Sequence, residues 1–155
     1  MNKKIIKNIL SLISIPFFGF ILLNITFILN ALFYFLVTRI INVIGIDGEM
    51  HWYFIPSIIR FCFLGIIIII SYFIFHSKLK TIFKAIFLVV PLATTLVTIG
   101  IFLYHWPIII YSLGFLLVLS SIYYFYQTKQ PWIYYYSVIL TSLVLAIFFA
   151  LGGDI

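Results

Sequence analysis

"NILSLISIPFFGFILLNITFILNALFYFLVT" (8–38) contains no charged residue, and its reading decides the fold. A bilayer core of about 30 Å takes about 20 apolar residues in a helix rising 1.5 Å per residue, so this stretch is too long for one perpendicular span. Within it "SIPFFGF" (14–20) puts Pro16 and Gly19 where a helix bends. One long, tilted or kinked helix competes with two shorter ones that turn near Asn24 and Thr26.

Charge separates the two readings. With one helix, Lys3, Lys4, Lys7, Lys78, Lys80, Lys84 and Lys129 fall on one side of the membrane, and only Arg39 and Arg60 lie toward the other. Lys and Arg concentrate in cytoplasmic segments, so this asymmetry is the expected one. The split version puts Lys78, Lys80 and Lys84 opposite the basic N-terminus. The single helix is therefore expected, with the N-terminus cytoplasmic and the C-terminus extracytoplasmic.

Four more apolar runs follow, giving five expected helices at about 8–38, 57–75, 85–104, 108–127 and 133–151. Pro56, Pro107 and Pro131 each stand just before a run, where a missing N–H is harmless and the fixed φ suits a first helical turn. No repeat, linker or soluble segment interrupts them. The expectation is an all-α integral membrane bundle forming a single transmembrane domain over 1–155. "MNKKIIKNILSLISIPFF" (1–18) has the basic start and apolar body of a secretory signal, but no A-x-A-like site follows, so it is expected to remain as an anchor.

Composition agrees. The chain is 66% hydrophobic and 8% charged, against about 45–50% and 25% in soluble domains. Its formal charge of +6 is spread too thinly to follow a phosphate backbone, which argues against nucleic acid and for anionic headgroups. Aromatics mark both interfaces. Tyr123, Tyr124, Tyr126, Trp132, Tyr134, Tyr135 and Tyr136 bracket the turn "QTKQPW" (127–132), while Trp52, Tyr53, Tyr104 and Trp106 lie at the other side.

Helices in lipid approach through small residues and polar contacts. Ser142, Ala146 and Ala150 form a stripe of spacing four on the fifth helix, with Ser137 and Thr141 beside it. These are the expected packing positions, and Ala146→Leu is expected to be more damaging than Leu145→Ala. The third helix, with Ala93, Thr94, Thr95, Thr98, Gly100 and a kink at Pro91, is expected to be the most enclosed. "GIIIII" (65–70) suits lipid as well as protein. Asn24 and Asn30 are expected to face the bundle, because an unpaired amide in hydrocarbon costs several kcal/mol.

Chemistry-bearing residues gather in the expected outer segments. "GIDGEMHWYF" (45–54) holds Asp47, Glu49 and His51, and "YHWP" (104–107) holds His105. Carboxylate and imidazole groups could ligate a metal or serve as base and orienter. A polar interhelical loop with turn-forming Gly45 and Gly48 is the simpler account, and no HExxH, GxSxG, CxxC or glycine-rich phosphate loop is present. Arg60, about one turn into the second helix, either snorkels outward or pairs with Asp47 or Glu49. His76 reads as a headgroup contact and the lone Cys62 as packing. Neither a cofactor nor a metal is expected.

The Ile, Phe, Tyr, Asn and Lys bias is that of AT-rich bacterial genomes, and a plasma-membrane location is expected. The leading expectation for function is binding to the bilayer and to another membrane protein, or self-association, as an accessory subunit or immunity-type protein. The alternatives are a small membrane enzyme or lipid-handling protein built on the outer Asp/Glu/His cluster, and a subunit of an oligomeric transporter or channel.

Overall fold

A computed structural model describes residues 3–44 and 55–150 of the chain. They form five helices: α1 (Lys3–Ile44), α2 (Ile55–His76), α3 (Thr81–Phe102), α4 (Pro107–Gln127) and α5 (Trp132–Ala150). All five are long and apolar enough to cross a membrane. Helices satisfy every backbone group within the segment, which is what an element in hydrocarbon requires. This is a multi-pass membrane protein with an all-α fold.

α1 is one unbroken helix through Pro16 and through Asn24 and Thr26, so the two-helix alternative falls. Its apolar stretch Asn8–Val43 is 36 residues long, against 19–22 in the other spans. At 1.5 Å per residue that is about 54 Å. To fit inside about 30 Å of hydrocarbon it would tilt by more than about 50°, beyond the usual 0–40° range, so its ends extend past the core. The remaining helices match their expected bounds within a few residues.

α3 is the centre of the bundle. It touches the other four helices, and around it α2 packs on α1, α1 on α5, and α5 on α4. Among the described residues α2 and α4 do not meet, so the ring is an open arc. Half of the most apolar part of α3 is buried, against 6–22% in the others, as its small and hydroxylated residues predict. The main core joins Ile15 of α1, Ala85, Ile86, Val89 and Leu92 of α3, Phe125 of α4, and Tyr134 and Val138 of α5. A smaller cluster joins Phe63 and Ile67 of α2 to Val90.

Close backbone approach holds these contacts. Gly19 presses against Val89, where an added Cβ would stand 3.1 Å from a methyl group. Ser137 of α5 donates a 2.7 Å hydrogen bond to the Ala85 carbonyl of α3. The Tyr136 hydroxyl donates to the Leu12 carbonyl of α1. Pro91 stays within α3, where Thr94 and Thr95 both donate to its carbonyl. Ile66, Ile68, Ile69 and Ile70 point outward while Ile67 packs inward, so "GIIIII" serves both environments.

The connections are tight where charge is available. Lys84 reaches from α3 to donate a 2.6 Å hydrogen bond to the Phe75 carbonyl, in the last turn of α2. A cation there satisfies an orphan acceptor and opposes the negative end of the helix dipole. α4 ends in a Schellman motif. Gln130 N–H donates to Phe125 O and Lys129 N–H to Tyr126 O, with Lys129 at φ 50°.

Three expectations need correction. Asn24 faces outward rather than into the bundle, and its amide donates 2.8 Å to the Phe20 carbonyl one turn back, so its own helix satisfies the need. Tyr134 is not an interfacial anchor; it is buried against Phe125 with ring centroids 5.4 Å apart. On α5 the buried face runs through Tyr134, Ser137, Val138 and Thr141, while Ala146 and Ala150 are exposed and Ser142 is half-buried.

Candidate functional site

Arg60 stands at the sixth position of α2, among polar groups from three helices. With Thr26 and Asn30 of α1 and Thr94 and Thr98 of α3 it lines a narrow crevice of about 40 Å³. Phe27, Phe63, Leu64, Val97 and Ile101 complete the walls. The position follows from local sequence. Pro56 stands in the first turn of α2, one turn before Arg60, and the short 77–80 turn folds α2 back against α3. Arg60 and Thr98 lie almost equally far from that turn, which brings them level.

The hydroxyls in the crevice have already used their protons. Thr26 donates to Leu22 O, Thr94 to Val90 O and Thr98 to Thr94 O, at 2.7, 2.9 and 2.6 Å. They offer lone pairs only, which suits guanidinium donors, and among the described residues no carboxylate opposes the Arg60 charge. Among the described residues neither Arg60 nor Asn30 has a side-chain hydrogen bond. Arg60 is thus a half-buried cation near the start of an apolar span, which makes this crevice a candidate site.

The second feature is an apolar cleft of about 640 Å³ between α4 and α5. Its floor is Leu96 and Ile99 of α3, and small residues on both walls, Ser112 and Gly114 of α4 with Ser142 and Ala146 of α5, keep it open. Ser112 and Ser142 donate back to Ile108 O and Val138 O, so neither needs a polar partner. Ser142 and Ala146, of the small-residue stripe expected to mark a contact face, thus border this cleft.

Asp47, Glu49 and His51 lie outside the described residues, as does their expected pairing with Arg60. His105 is exposed in the α3–α4 turn, its ring edge-on to Tyr104 at 5.6 Å. Among the described residues there is no group of three metal-ligating side chains. Arg39 lies over the Phe35 ring at 5.6 Å. His76 stacks on Tyr72 at 4.2 Å, its Nδ1 3.0 Å from the Tyr72 carbonyl. Cys62 is an exposed thiol beside Phe33 and Ile59, in an apolar crevice between α1 and α2.

Sequence reading placed Arg60 toward the outer surface and did not bring Thr26, Asn30, Thr94 and Thr98 beside it. The signal was the symmetry of the α2–α3 hairpin, which brings Arg60 level with Thr98. Asn30 could not be found in this way, because the 45–54 segment gives no register between α1 and α2. Comparison with protein families, curated proteins and solved structures finds no match for the chain. The fold and these two features define a five-helix multi-pass membrane protein.

Proposed function

We propose that this protein is non-catalytic and acts in a bacterial plasma membrane by binding another membrane protein, as an accessory subunit or an immunity-type protein. Its N-terminus is cytoplasmic and its C-terminus extracytoplasmic, on the lysine asymmetry. The observation that carries this reading is the α4–α5 cleft. Helices in lipid associate by packing rather than by the hydrophobic effect, and a cleft bordered by Gly114, Ser142 and Ala146 lets a partner's backbone come close. Because its serines are self-satisfied, the fitting occupant is a transmembrane helix that presents bulky apolar side chains to Leu96 and Ile99.

A photocrosslinking residue in place of Ser112, in the full chain in its own membrane, tests the reading. The expected result is a discrete protein adduct that is absent when the probe replaces Ile69 on α2 and is lost on adding Gly114→Leu. Adducts with lipid alone, or the same pattern at both positions, would remove the cleft as the binding surface.

A further inference from the structure

We infer that the Arg60 crevice binds a phosphate group, and that this group is the headgroup phosphate of an anionic phospholipid. The inference stands apart from the α4–α5 cleft, on a different face of the bundle. Arg60 presents five N–H donors in a planar fork that matches phosphate oxygens two at a time. Beside it the Asn30 amide supplies a further donor from α1. Thr26, Thr94 and Thr98 line the crevice with their protons spent on their own helices, so their oxygens can accept from the guanidinium but cannot neutralise it.

Position selects the source of the anion. Arg60 lies five residues from the start of α2, about 8 Å along the axis, within side-chain reach of the headgroup layer. The positive end of the α2 dipole lies at that same end. Phe27, Leu64 and Ile101 border the crevice with apolar surface on which an acyl chain can lie. The chain has nine Lys and Arg against three Asp and Glu, so its surroundings, more than its own side chains, supply negative charge.

The test uses the full chain in mild detergent, titrated with phosphatidylglycerol or phosphatidylcholine and read by native mass spectrometry. Wild type should retain one phosphatidylglycerol in preference to phosphatidylcholine by about tenfold, equivalent to about 1.4 kcal/mol. Arg60→Gln should erase that preference, Arg60→Lys should keep only a minor part of it because an ammonium lacks the bidentate fork, and Arg39→Gln should leave it unchanged. Millimolar inorganic phosphate should not displace the lipid. Should Arg60→Gln fail to assemble, Asn30→Leu must weaken retention of phosphatidylglycerol while leaving phosphatidylcholine unaffected. Equal retention of the two lipids, an unchanged preference in Arg60→Gln, or displacement by inorganic phosphate would overturn the inference. So would a preference that emerges only when Asp47→Asn and Glu49→Gln are combined, since these carboxylates would then be the occupants.

Discussion

The Ser137 hydroxyl on α5 donates to the Ala85 carbonyl on α3, and both residues are 0% exposed. Only small side chains allow two helices this close, and the carbonyl has a second lone pair free for the bond. Ser137→Ala keeps the approach and loses the bond, so it should cost about 1 kcal/mol. Ser137→Leu must force the helices apart and should cost about 1–3 kcal/mol or prevent assembly. Thermal melting in detergent should give the order wild type, Ser137→Ala, Ser137→Leu.

Two glycines should respond oppositely to the same change. An added Cβ at Gly19 meets the buried, β-branched Val89 at 3.1 Å, whereas among the described residues one at Gly65 meets nothing within 4 Å. Gly19→Ala should lower the melting temperature. Gly65→Ala should leave it unchanged or raise it, since alanine is favoured over glycine in a helix by about 1 kcal/mol. If the two variants melt alike, α1 and α3 are not in the described contact.

Lys129 holds a left-handed conformation, φ 50°, at the turn that closes α4. Glycine adopts that backbone freely, while a β-branched residue resists it. Lys129→Gly should therefore match or exceed wild-type stability by up to about 1 kcal/mol, and Lys129→Val should fall below it by a similar amount. Equal melting of the two variants would contradict the Schellman closure.

On α5 the stability order should be the reverse of the one expected from residue spacing. Leu145 is half-buried and Ala146 is exposed at the rim of the cleft. Leu145→Ala should destabilise the isolated chain more than Ala146→Leu. Ala146→Leu should instead abolish the adduct formed from Ser112, because the added side chain fills the cleft.

The five spans were legible because length and apolarity in lipid leave the backbone one solution, and because prolines mark where runs begin. The enclosure of α3 was legible from Thr94, Thr95, Thr98 and Gly100, which lipid-facing helices have little use for. The inward face of α5 was not. Ser137/Thr141 and Ser142/Ala146/Ala150 both repeat every four residues, and only the partner helix chooses between stripes about 140° apart, five residues at 100° each. Asn24 misled for a different reason: a side chain that bonds its own preceding turn carries no information about the bundle. Arg60 was visible as a charge, but Asn30 beside it depended on a register that the chain between α1 and α2 conceals.

The central claim is that residues 8–43 form one span rather than two, which on the proposed orientation puts residue 48 outside and residue 77 inside. Single cysteines introduced by Asn24→Cys, Gly48→Cys and Ser77→Cys in a Cys62→Ala background, treated in intact cells with an impermeant thiol reagent, test it most directly. The account predicts labelling at position 48 and none at 24 or 77 until the membrane is opened, when 77 alone becomes reactive. Labelling of intact cells at positions 24 and 77 with none at 48 would mean that the first stretch turns back within the membrane, and the five-helix account would be wrong.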